Sequence, residues 1–180
     1  MDTRPSRAGT QHEGLVIRPA ELDDLESINR IYNQYVLGSH YTFDVEPTSI
    51  EWRQEWFGHY DRQGRWRVMV AVSGDAVIGY ASSSRFRPKP AYETSVETSI
   101  YLDGDHAGRG VGGRLYATLF AALEGEDVHR AYAGIAIPNP ASVALHERVG
   151  FTRVAYFTEQ GRKFGRYWDV AWYEKALNIG

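Results

Sequence analysis

Three groups of residues in this chain are of types and at spacings that can do chemistry. Glu97 precedes Ser99 and Tyr101 at two-residue steps, so on a strand the three side chains share one face. A carboxylate so placed is either a solvent-facing surface group or a general base, and its neighbours leave both readings open. The second group is the glycine-dense run Gly108, Arg109, Gly110, Val111, Gly112 and Gly113, which leads into a helical pattern. Backbone N–H groups at such a helix start have no intrahelical partner and can converge on an anion, while glycine lets a phosphate come close. A flexible loop that merely contains glycine is the plain alternative. Arg109 and Arg114 suit a diphosphate or a ribose phosphate, or simply solvent. The run has no Gly-Lys-Ser/Thr ending, and the strand before it stops too early for a dinucleotide fingerprint. Third, Asn139 and Pro140 form a helix start, with Asn as cap and Pro at the first helical position. On that helix Ser142 and His146 are one turn apart and share a face from which both could meet one ligand. A helix-packing histidine is the competing reading.

The elements that position these groups follow from hydrophobic period and turn chemistry. Residues 15–19 read as a strand; Leu22, Leu25, Ile28, Ile31, Tyr32, Tyr35 and Val36 then recur at helical spacing up to Gly38. A second helix is expected over residues 49–60, and strands over 68–72 and 77–84, joined as a hairpin through Ser73, Gly74 and Asp75. Residues 85–94 carry two prolines and several basic side chains, which suits a loop. A strand at 96–102 leads through the glycine segment, ending at Gly113, into a helix marked by Leu115, Leu119 and Leu123. Beyond it come a buried strand at 131–137, a short helix at 140–149 ended by Gly150, and two strands at 152–158 and 167–174. Strands and helices mix without strict alternation, so the expected class is α/β in the α+β sense, a mixed and mostly antiparallel sheet with helices on both faces. Residues 1–14 are polar and aperiodic and read as a loose tail, leaving residues 15–177 as one domain.

Gly110, Val111 and Gly112, taken with Asn139 through Leu145, His146, Gly150 and Phe151, resemble the two signature segments of the GNAT acyltransferases in order and spacing. The resemblance extends over residues 15–173 and is strongest to the branch that acetylates phosphinothricin and methionine sulfoximine. Val96-Glu97-Thr98-Ser99-Ile100-Tyr101, His106, Ile137-Pro138-Asn139, His146-Glu147 and Trp168-Asp169-Val170 carry it. It implies a GNAT fold in which two central strands splay, so that the pantetheine arm of acetyl-CoA enters between them and pairs with backbone along Ser99, Ile100, Tyr101 and Leu102. The diphosphate is then expected on the Gly108 to Gly113 amides, with Arg109 and Arg114 near it and Asn139 and Ser142 at the next helix. Two departures stand out: Ala107 occupies a position where the family usually has Gln or Arg, and His146 one where most members have Tyr, although the phosphinothricin branch also has His.

With the resemblance, Glu97 becomes the candidate base, since a primary amine of pKa ~9 to 10 is mostly protonated at neutral pH and must lose a proton before it attacks. His146 becomes the candidate hydrogen donor to the departing thiolate. Arg87, Lys89 and Tyr92 match positions that line the acceptor side, with Tyr35 and Phe43 on the opposite wall; a solvated basic loop and aromatic core packing are the bland alternatives. The implied activity is acetylation of the amine of a small amino-acid-like substrate. Another amine, or a noncatalytic acyl-CoA sensor, are the rival readings.

The chain of 180 residues is 43% hydrophobic, enough for one sizeable core, and its formal charge of −3 gives no drive toward nucleic acid or an anionic membrane. It has no cysteine, which excludes an acyl-cysteine intermediate, disulfides and Cys-rich metal sites; no metal is called for. No apolar run approaches the ~20 residues of a membrane span, so a cytoplasmic protein is expected. The family implies a homodimer, and Trp168 and Trp172, on one face of the last strand, offer apolar surface for it or for the core.

Overall fold

The structure is a computed structural model that describes residues 14–106 and 108–177. The expected tail, apart from Gly14, and the departure at Ala107 therefore lie outside the described residues. In chain order the elements are β1 (Leu15–Pro19), α1 (Leu25–Gly38), α2 (Ile50–Phe57), β2 (Arg67–Ser73), β3 (Ala76–Arg85), β4 (Ser95–Leu102), α3 (Val111–Ala122), β5 (Arg130–Ile137), α4 (Pro140–Arg148), β6 (Thr152–Lys163) and β7 (Arg166–Ala176). The strands form one sheet in the order β1-β2-β3-β4-β5-β7-β6. Every neighbouring pair is antiparallel except β4 and β5.

Each face of the sheet buries its own apolar cluster. On one side Leu25, Ile28 and Ile31 of α1 pack against Val68, Val70 and Tyr80. On the other, Val111, Leu115, Tyr116 and Leu119 of α3 cover Val96, Ala131, Ala133 and Ile135, with Val143 and Leu145 of α4 against them. Ser49 caps α2 by accepting from the Trp52 N–H, and Asn139 caps α4 by accepting from the Ser142 N–H. The Asn139 cap follows from the sequence, as does the β2–β3 hairpin, whose Gly74 has a positive φ of 59°.

Two boundaries differ from expectation. Helix α3 begins at Val111 rather than after Gly113, so Gly112 and Gly113 lie in its first turn, where tertiary packing outweighs a helix penalty of about 1 kcal/mol for each glycine. Strand β6 runs on to Lys163, past the expected end near residue 158, because pairing with β7 resumes after an irregularity between Phe157 and Gly161. Its far half is polar and mostly exposed at the sheet edge, Lys163 excepted, and so carries no alternating apolar signal.

The feature that shapes the molecule's chemistry is the β4–β5 junction. These parallel strands pair only from Ser95↔Arg130 to Glu97↔Tyr132, although both continue beyond. Past Glu97 the strands part.

Candidate active site

Backbone direction along the parted strands can be worked out from the antiparallel ladders. The Asp103 N–H donates to the Ile78 carbonyl at 2.9 Å. Hydrogen-bonded pairs alternate in such a ladder, so Glu97, Ser99 and Tyr101 spend their backbone groups on β3, while Thr98, Ile100 and Leu102 turn theirs toward β5. On β5 the Leu177 N–H donates to the His129 carbonyl at 3.0 Å, which by the same count turns Tyr132, Gly134 and Ala136 toward β4. Ile100, Leu102, Gly134 and Ala136 thus border the gap with backbone polar groups, and the Tyr35 hydroxyl donates to the Leu102 carbonyl at 2.7 Å. This corrects the expectation that Ser99 through Leu102 all offer backbone there. Ser99 and Tyr101 are directed to β3 by the ladder and contribute side chains only.

At the far end of the gap, Gly108 and Gly110 have φ of 76° and 82°, values that side chains rarely adopt, and open space lies where their Cβ atoms would be. The first amide closed by the helix is that of Arg114, which donates to the Gly110 carbonyl at 3.2 Å. The amides of Val111, Gly112 and Gly113 precede it in the ladder and have no partner inside the helix. Gly112 has a different reason to be small. A Cβ there would lie 2.9 Å from Leu145 Cδ2 and 3.5 Å from Ile100 Cδ1, so its lack of a side chain lets α3 approach α4. The Val111 side chain is in the core, leaving its amide to the site. Arg114 is a second correction: its guanidinium donates to the Leu15 carbonyl at 2.9 Å, drawn toward β1. Arg109 stays exposed beside the glycines. His106, at the head of the loop, holds a buried Nδ1 without a hydrogen-bond partner. Free amides, left-handed glycines and an orphaned imidazole nitrogen fit the expected diphosphate. Among the described residues no group of His, Asp and Glu gathers as a metal site.

Strand alternation sends Glu97, Ser99 and Tyr101 to the α1 face, where Tyr101 sits among Tyr32, Tyr35 and Tyr80 at ring distances of 5.1, 5.2 and 5.5 Å. Burial pushes the Glu97 carboxyl above the usual carboxylate range, and the charge of Arg87 partly opposes this. Arg87 lies over the Phe86 ring at 4.3 Å and near that of Trp172 at 5.6 Å. Phe86 stacks on Tyr132 at 4.4 Å and meets Tyr92 edge-on at 6.1 Å; Lys89 stays exposed. Gly134 is exposed in the middle of a central strand, and the Trp172 ring comes within 3.3 Å of where its Cβ would stand. An open floor therefore lies beside Glu97. Phe86, Tyr132 and Gly134 were not singled out from sequence, and Trp172 was noted only as apolar surface; Tyr132 and Gly134 face the cleft by the same two-residue period that places Glu97 on its strand.

The opposite wall is built from the α1–α2 connection and the β6–β7 tip. The Phe43 ring occupies the space above Gly161, the Lys163 ammonium donates to the Thr42 carbonyl at 2.9 Å, and His40 stacks on Trp168 at 3.6 Å. Trp168 and Trp172 do share a face, but it is this inner one. Exposed apolar surface lies instead on Val154, Tyr156, Phe157, Phe164 and Tyr167.

His146 lies on the other side of the sheet, against α3, and is only 3% exposed. Its Nδ1 is 2.8 Å from the Ser142 carbonyl, which can only accept, so Nδ1 carries the hydrogen. Burial holds the imidazole below its usual pKa, hence neutral, and its bare Nε2 accepts from the Tyr116 hydroxyl at 2.8 Å. Ser142 and His146 thus meet each other rather than jointly facing a ligand, because an i, i+4 pair closes on itself when the ring turns inward.

An acetyltransferase (GNAT) domain model matches residues 17–172. The chain is 51% identical to a phosphinothricin N-acetyltransferase of Streptomyces coelicolor, over 89% of this chain and 95% of that protein. It is 33% identical to an L-methionine sulfoximine/L-methionine sulfone acetyltransferase of Pseudomonas aeruginosa, over 90% and 94%. Among solved structures it superposes on a GNAT superfamily phosphinothricin acetyltransferase from Sinorhizobium meliloti in complex with AcCoA, with a TM-score of 0.85, 33% identity, and coverage of 92% of this chain and 90% of that one.

Proposed function

The chain belongs to the GNAT acetyltransferase family, and on that premise we propose that residues 15–177 form one domain that acetylates the amine of a small amino-acid-like acceptor of the phosphinothricin, methionine sulfoximine or methionine sulfone type. The observation that carries this reading is the parting of β4 and β5 immediately beyond Glu97, between a half-buried carboxylate on one face and free amides at the α3 start. When bound, acetyl-CoA supplies an activated acyl carbon. Glu97, its carboxyl poised above the ordinary range, takes the proton from the acceptor ammonium, directly or through water. With no cysteine in the chain, the amine attacks directly. The Ile100 amide, facing the gap, is available to hydrogen-bond the oxygen that gains charge.

His146 enters differently from the donor role implied by the family. Neutral, with its one hydrogen committed to Ser142, it has none for a departing sulfur, and a hydrogen can come only from the Tyr116 hydroxyl, which must turn it from His146 Nε2 to the sulfur. Gly108, Gly110 and the amides of Val111, Gly112 and Gly113 hold the diphosphate, with Arg109 and His106 beside them. Arg87, on its platform of Phe86 and Trp172, takes the acceptor's anionic group, aided by Lys89 and Tyr92, while Tyr35 and Phe43 close the other side. The enzyme acts in the cytoplasm as a homodimer joined through the exposed β6–β7 face.

The test is CoA release, followed with a thiol reagent, against phosphinothricin, methionine sulfoximine, methionine sulfone, common amino acids, polyamines and an aminoglycoside. Release confined to the first three acceptors, and reduced by about 10² or more in Glu97→Gln, is expected. Equal turnover of polyamines, or full activity in Glu97→Gln, would sink the acceptor assignment or the base.

A further inference from the structure

Three polar side chains are buried together in the apolar layer between α3 and the sheet. His146 is 3% exposed, Tyr116 0% and Thr98 4%. Polar groups in such a place are costly unless each finds a partner, and here each has one. One run starts at the Ser142 carbonyl, passes through the His146 ring, and reaches the Tyr116 hydroxyl, tying α4 to α3. Separately, the Thr98 hydroxyl donates to the Tyr132 carbonyl at 3.2 Å, tying β4 to β5.

The Thr98 bond falls at a particular point. Glu97↔Tyr132 is the last β4–β5 pair, and Thr98 is the next residue of β4. Its side chain grips the carbonyl at which the strands separate. An aliphatic side chain would suit the apolar neighbours Val96 and Ile100 as well, so packing does not call for the hydroxyl. What the hydroxyl adds is direction, since it fixes the Tyr132 carbonyl against β4.

We infer that Thr98 is a positioning residue for acetyl transfer: by holding the Tyr132 carbonyl it sets the vertex of the β4–β5 gap. This rests on the acetyltransferase reading above and assigns a role to a residue that makes no contact with acceptor or diphosphate. The glycine amides that hold the diphosphate lie at the other end of the gap, so Thr98 governs turnover rather than cofactor affinity.

Thr98→Val keeps the shape and removes the hydroxyl; Thr98→Ser restores it. With methionine sulfoximine as acceptor, Thr98→Val is expected to lower kcat about tenfold, with acetyl-CoA affinity by calorimetry and acceptor KM each within about twofold of wild type and the melting temperature nearly unchanged. Thr98→Ser should recover most of the lost kcat. An unchanged kcat in Thr98→Val, a loss that serine does not restore, or a loss of acetyl-CoA affinity as large as the loss of kcat would each overturn the inference alone. A wild-type enzyme silent toward every amine in the panel would overturn the acetyltransferase reading and the inference with it.

Discussion

As the proposed base, Glu97 stands under two opposed influences, burial raising its proton affinity and the Arg87 charge lowering it. A base works only when ionised, so the acid limb of the kcat/KM profile follows its pKa. Arg87→Ala removes the lowering influence, and the acid limb should move to higher pH, measurable between about pH 5 and 8. A limb that moved down, or stayed in place, would remove Arg87 from the neighbourhood of the base. His146 has the opposite sign in a stability experiment. Its folded pKa lies below the unfolded one, so the unfolded chain binds the proton more readily as pH falls through about 6.5. Its contribution to stability is full above that pH and is lost on further acidification, and the melting temperature should drop in the same window. At this scale Glu97 was readable because a strand's two-residue period and a short motif both involve near neighbours. The Tyr116 partner of His146 was not, because it belongs to another helix, thirty residues earlier in the chain.

The acceptor walls depend on how loops are tied to elements. The clearest tie is Arg53, 2% exposed, whose guanidinium lies 4.7 Å from the Tyr32 ring centre and 4.6 Å from that of Trp56. Its nitrogens donate to Asn29 Oδ1 at 3.3 Å and Thr48 Oγ1 at 3.4 Å, linking α1, α2 and the connection that carries Phe43. A lysine cannot reproduce a planar, multiply donating group stacked between rings. Arg53→Lys should cost about 1–3 kcal/mol by denaturant unfolding and raise the acceptor KM more than that for acetyl-CoA; equal stability would show the stack to be idle. The loop before β4 is tied by ions instead, with Arg65 donating to the Glu93 carbonyl at 2.8 Å and Arg85 3.7 Å from its carboxylate. Elements with one buried face were legible in the chain. The late half of β6, polar and mostly exposed, and the true start of α3, hidden by glycines, were not, since neither leaves a periodic trace.

For the whole molecule, the edge strand β6 presents Val154, Tyr156 and Phe157 to solvent, with Phe164 and Tyr167 beside them on the tip and on β7. Bare apolar edges of this kind invite association. Sedimentation should find a dimer at assay concentration, converted toward monomer by Phe157→Arg; a wild-type monomer would refute the homodimer. The tryptophans of β7 were a poor guide to this surface because alternation tells which residues share a face but not which face is covered. That same sheet separates the two working sides of the enzyme. Glu97 and the aromatic floor beside it look toward α1, while His146 and Tyr116 lie on the α3 side, and the gap past Tyr132 joins them. On the proposed mechanism amine and thioester arrive from opposite sides of a wall, neither in the other's doorway. An unreactive acceptor analogue should therefore slow turnover by competing with the amine alone, and raising acetyl-CoA will not wash it out.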